Sequence, residues 1–138
     1  NSSLDKERTQ ELIALAKPMS FTFHRAFDVV SKPKETILEL TTMGVDRILT
    51  SGQEEKAANG IELLMELQKI AKNKLIIMPG SGINSKNSML FKKAGFKEIH
   101  SSASKVIENT DDSYFGNTPQ TVSDIETIKE ILKTMNNA

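Results

Sequence analysis

Apolar positions fall into two alternating rhythms along the chain. Leu4 to Lys17 places Leu4, Ile13, Leu15 and Ala16 among charges and stops before Pro18, which predicts a helix. Phe21–Phe27 (FTFHRAF) is rich in strand formers and predicts a strand. Pro33 opens a second helical pattern with Ile37, Leu38, Leu40 and Met43 on it, and Gly44 fits just past its end. Arg47–Ser51 predicts a short strand. Ile61–Ala71 carries a wide apolar stripe of Ile61, Leu64, Met65, Leu67 and Ile70, which predicts an amphipathic helix. Lys74–Met78 reads as a buried strand broken by Pro79-Gly80-Ser81-Gly82. Asn84 to Lys93 reads as a helix ended by Gly95, and Glu98–Ser102 as a fourth strand. Val106–Pro119 reads as an irregular loop and Thr121–Met135 as a final helix.

Strand and helix alternate with a spacing of about 25 residues from strand to strand. That order implies parallel pairing with right-handed crossovers. Short strands rich in Ile, Leu and Phe suit a sheet covered on both faces. An open doubly wound sheet and part of a (β/α)8 barrel share this pattern. The open sheet usually announces a glycine-rich turn after its first strand, and FTFHRAFD has none. Here the glycine-rich turn follows the third strand, which suits the C-terminal half of a barrel, a full one needing about 250 residues. The expectation is an α/β chain, 1–138 as a single domain, forming a TIM-barrel-like half of four parallel strands with flanking helices.

Composition narrows the function classes. The 138 residues hold 18 Lys and Arg against 18 Asp and Glu, so the net charge is zero, which argues against a general nucleic-acid binder. There is no cysteine and there are two histidines, which removes disulfides, thiolate nucleophiles and a closed histidine zinc site. The six methionines are scattered and fit core filling. No apolar run approaches the roughly 20 residues of a membrane helix and no charged-then-apolar leader opens the chain, so the expected location is the cytoplasm.

The candidate chemistry collects where strands end. In a parallel α/β fold these ends share one face, where ligands bind. His24, Arg25 and Asp28 close the first strand; Thr50 and Ser51 the second; Gly80, Ser81 and Gly82 the third; His100, Ser101 and Ser102 the fourth. The PGSG turn offers backbone amides, and the helix beginning near Asn84 points its positive end the same way, so an anion is the expected ligand, with a plain tight turn as the alternative. Arg25 would bind a carboxylate or phosphate, or simply pair with Asp28. His24 or His100 would move a proton, and Glu98, two residues from His100 on one strand face, would orient or share it, or else stand solvated at the strand's entry.

TFHRAFD, DRILTSG, a helix opening near GIELL, IIMPGSGI and EIHSSA follow one another in an order and spacing that resembles the CutC family, the so-called copper homeostasis proteins. The likeness runs over residues 18–104, about two thirds of the chain. It implies a (β/α)8 barrel of which this chain is strands five to eight, with roughly the first half of the protein lying outside it. Copper binding is implied by the resemblance alone, through cysteines placed mostly in that other half. Two departures stand out: Ser81 replaces the middle of three family glycines, and Ser101 stands where a cysteine can occur.

Two functions are therefore expected to compete: a barrel enzyme or binder of a small anionic molecule, with His24, Arg25, Glu98 and His100 as catalytic candidates, and a copper-handling protein using ligands outside this segment. A homo-oligomer is also expected, because a half barrel leaves two sheet edges open.

Overall fold

The computed structural model describes residues 2–107 and 120–136. Helix α1 (Lys6–Ala16) starts at Asp5, whose carboxylate accepts from the Arg8 amide at 3.1 Å. Then come β1 (Thr22–Phe23), a 3-10 helix (Arg25–Val29), α2 (Pro33–Met43), β2 (Arg47–Thr50), α3 (Ile61–Ala71), β3 (Ile76–Pro79) and α4 (Ser88–Lys93). A short hairpin of β4 (Ser104–Val106) and β5 (Thr121–Ser123) leads into α5 (Ile125–Asn136).

The sheet runs β1-β2-β3 with every pair parallel, in the register Thr22–Arg47–Ile76 and Leu49–Met78. A parallel bridge from Gly80 to His100 adds a fourth segment. Period-two alternation sorts the side chains. Ile48, Thr50, Ile77 and Pro79 are buried, and Ile48 and Ile77 join Ile37, Leu40, Leu64, Leu67 and Phe91 in one core. Arg47, Leu49, Ile76 and Met78 line the other face and stay half-buried. Burying a leucine fully contributes about 2 kcal/mol, so Leu40, Leu64 and Leu67 anchor α2 and α3 to the sheet. Gly44 ends α2 at φ +83°, its amide donating to Leu40 and Thr41 carbonyls, the left-handed cap that glycine supplies without strain.

Four expectations change. The helix expected from Asn84 begins at Ser88, because Asn84 and Asn87 exchange turn hydrogen bonds first, so its N-terminus stands away from the PGSG turn's glycines. The first strand stops at Phe23, because the His24 ring nitrogen accepts from the Ala26 amide and starts a 3-10 turn in place of continued extension. The segment expected as a fourth strand over Glu98–Ser102 is reduced to the single bridge at His100, which among the described residues has a sheet neighbour on one side alone. Val106 belongs to a strand, and Thr121–Ser123 pairs with it instead of opening the last helix; the rest of the predicted loop, 108–119, lies outside the described residues.

Candidate functional site

The parallel strands bring His24, Ser51, Gly80 and His100 to one end of the sheet. The centre of that end is Asp28, whose side chain is 8% exposed. It accepts from Thr50 Oγ1 at 2.5 Å, from Arg25 Nε at 2.7 Å, and from the amides of Ser51 at 3.0 Å and Gln53 at 3.3 Å. Burial is the largest single influence on this carboxyl and pushes its pKa up. The hydrogen bonds from Thr50, Arg25, Gln53 and Ser51 together outweigh it and hold the group below its ordinary value.

The same network fixes Arg25. Its Nη2 donates to Ser51 Oγ at 3.0 Å, while 44% of its side chain stays open to solvent. The Ser51 hydroxyl sits 2.5 Å from the Glu54 carbonyl and 3.1 Å from Asp28, and its one proton serves the nearer oxygen. His24 is exposed and uses Nδ1 as an acceptor, so a neutral ring carries its proton on Nε2.

The turn after β3 is fastened to the loop after β2. Ser81 Oγ donates to the Glu55 carbonyl at 2.7 Å and the Ala57 amide donates to the Ser81 carbonyl. Ser81 holds φ +97° and Gly82 φ +68°. The stem of Lys56 lies over Gly82. A Cβ on Gly80 would meet Leu49 Cδ1 at 2.5 Å and His100 Cβ at 3.2 Å, so glycine is needed where the strands close up. The amides beyond the turn are partly taken: Asn84 N donates to Asn87 Oδ1 and Lys86 N to Asn84 Oδ1. Ser101 Oγ donates to the Ile83 carbonyl and accepts from the Ala103 amide, and Ser102 Oγ meets Ser104 Oγ.

The structure thus brings His24, Arg25, Asp28, Thr50 and Ser51 together and sets Gly80 beside His100. It brings Glu98 to Arg47 and not to His100: Arg47 Nε and Nη2 reach the two carboxylate oxygens at 2.6 and 2.9 Å. Sequence reasoning missed Arg47, Gln53 and Lys56. Alternation along β2 could have found Arg47, since an arginine on a half-buried strand face calls for a carboxylate. Nothing local marked Gln53. Among the described residues no three His, Asp or Glu side chains come together, and the chain has no cysteine. Cu(I) prefers soft sulfur ligands, so this donor set does not fit it.

A family model described as the CutC family matches residues 1–105. A CutC family protein of Edwardsiella ictaluri is 43% identical over 107 residues, which cover 78% of this chain and 42% of that protein. The mouse protein named copper homeostasis protein cutC homolog is 42% identical over 101 residues, covering 72% of this chain and 37% of its own length. A crystal structure of CutC from Streptococcus agalactiae superposes with a TM-score of 0.66 at 30% identity, over 72% of this chain and 50% of that one. The chain spans about two fifths of the length of the curated relatives it matches. Strand β5 and helix α5 lie beyond the family match.

Proposed function

Because the chain belongs to the CutC family, we propose that it forms half of a (β/α)8 barrel of a copper homeostasis protein and that its strand-end face binds a small anionic molecule. One observation carries the second part. Asp28 and Ser51 hold the Arg25 guanidinium in a fixed orientation, yet 44% of that side chain remains open. A positioned, solvent-facing guanidinium beside the exposed His24 presents donors to a carboxylate or phosphate. His24 Nε2 supplies a hydrogen bond, because Nδ1 is taken by the Ala26 amide. His100, exposed beside Gly80, supplies a proton donor or acceptor from across the sheet end. A barrel enzyme of lyase, isomerase or hydrolase type would use these same groups.

The relatives' names support copper as the alternative cargo. The described residues gather no ligand set for it, so copper handling would use residues outside this segment.

A thermal-shift series with sugar phosphates, small carboxylates and Cu(I) under reducing conditions tests the reading. Stabilisation by a phosphate or carboxylate, absent in a folded Arg25→Ala variant, is expected. Stabilisation that survives the loss of Arg25, or none by any anion, removes the anion site.

A further inference from the structure

We propose that the Asn59–Gly60 junction, in the loop between β2 and α3, is a self-modification site. The Gly60 amide nitrogen attacks Asn59 Cγ, the carboxamide nitrogen leaves as ammonia, and water opens the resulting ring to aspartate or isoaspartate. The inference stands on this loop alone and does not depend on the anion reading.

The attack needs a carboxamide free to turn and a following amide free to lose its proton. Asn84 and Asn87 fail the first condition. Both Nδ2 groups donate to the Gly82 carbonyl, at 3.3 and 2.9 Å, and their Oδ1 atoms accept from the Lys86 and Asn84 amides. Asn73 fails the second, because the Lys74 amide after it donates to the Ala71 carbonyl at 2.9 Å. Asn59 meets both. It is exposed, and among the described residues neither its carboxamide nor the Gly60 amide has a hydrogen-bond partner. Glycine also sets no side chain against the ring that forms.

The helix that follows favours the reaction. Gly60 is the N-cap of α3 and supplies no capping side chain, so the first amides of that helix stay uncapped beside residue 59. Their positive end stabilises each anion on the route: the deprotonated Gly60 nitrogen, the oxyanion on Asn59 Cγ and the product carboxylate. Glu62 in the first turn offsets part of this. The two products differ in consequence. Aspartate keeps the backbone and places a carboxylate at the uncapped helix end. Isoaspartate lengthens the main chain by one carbon next to Gly60, where even a Cβ finds no room against the Ser51 carbonyl. That form loosens the packing of Gly60 on Ser51 and Gly52.

Incubation of the folded chain at mildly alkaline pH, followed by peptide mapping, tests the site. Cleavage after Lys56 and Lys69 releases residues 57–69. That peptide is expected to appear as a separable isoaspartyl and aspartyl pair, while Asn84 and Asn87 stay intact. The rate is expected to rise with pH, because the attacking nitrogen must lose its proton. Isoelectric focusing should show a new acidic band, since the unmodified chain has no net charge. Asn59→Gln requires a larger ring and is expected to remove the band. The isoaspartyl form is expected to melt below the aspartyl form, and equal melting would overturn the loosened contact with Ser51. Aspartate formed without isoaspartate would mean direct attack by water and would overturn the ring route. A folded chain that keeps Asn59 while the same chain in urea loses it overturns the proposal, as does earlier change at Asn84 or Asn87.

Discussion

Arg47 and Glu98, fifty-one positions apart in sequence, meet through two parallel hydrogen bonds of 2.6 and 2.9 Å on the half-buried face of the sheet. Their side chains are 23% and 35% exposed. The hydrogen bond from Arg47 is the main reason the Glu98 carboxyl titrates below its ordinary value. Water still screens a pair at this exposure. A double-mutant cycle of Arg47→Met and Glu98→Gln in urea is expected to give a coupling of about 1 kcal/mol, smaller in high salt. Additive losses would show that the fork contributes nothing beyond its parts.

Asp28 carries a heavier role. Asp28→Asn turns an amide NH2 towards donors that now face a carboxylate, and is expected to lower stability by about 2–3 kcal/mol in denaturant titrations. The sign with pH follows from its depressed folded-state pKa. Its contribution is complete above an ordinary aspartate's value, about 3.9, and is lost as pH falls through the lower folded value. Wild-type stability should therefore fall more steeply in acid than that of Asp28→Asn. Equal acid slopes would count against the assignment.

Gly52 and Gly60 bring two stretches of backbone into contact. A Cβ on Gly60 would collide with the Ser51 carbonyl oxygen, and one on Gly52 would lie 2.5 Å from the Gly60 oxygen. Neither obstacle is a flexible side-chain end. Gly60→Ala is expected to cost about 2 kcal/mol or more and, because Ser51 also holds Arg25, to weaken the proposed anion binding. Unchanged stability in thermal melts would refute this close approach.

Leu64 is fully buried where α3 packs against the sheet. Leu64→Ala should destabilise by about 3 kcal/mol through lost transfer energy and a residual cavity. Leu132→Ala, at a 52% exposed position, should cost far less in the isolated chain. Chemical denaturation of both variants gives the comparison.

Helix α3 spans Ile61–Ala71, as its apolar stripe predicts, and α2 runs from Pro33 to the cap at Gly44. Their periodicity and punctuation are local, so the sequence displays them. FTFHRAFD misleads for an equally local reason: its residues favour a strand, but the His24 ring captures the Ala26 amide and turns the chain. The polar strand ends were visible in the sequence, while their wiring was not. Thr50, Ser51 and Gln53 lie more than twenty positions beyond Asp28, and their convergence depends on strand register. Glu98 and His100 show the same limit. Spacing by two suggests a pair, but it cannot reveal that an arginine two strands away claims the carboxylate first.

The sheet is most firmly paired in its middle and least at the His100 edge. Strands β2 and β3 share four register positions, whereas the His100 segment joins through one bridge and the His100 amide bond to Pro79 at 2.8 Å. Hydrogen exchange should follow that gradient, with Ile48 and Ile77 deuterating late and His100 early. The strand-end face thus has one side fastened by the hydrogen bonds to Asp28 and one held by a single bridge. Under the proposed anion binding, a ligand that also touched His100 would slow the exchange of that one amide.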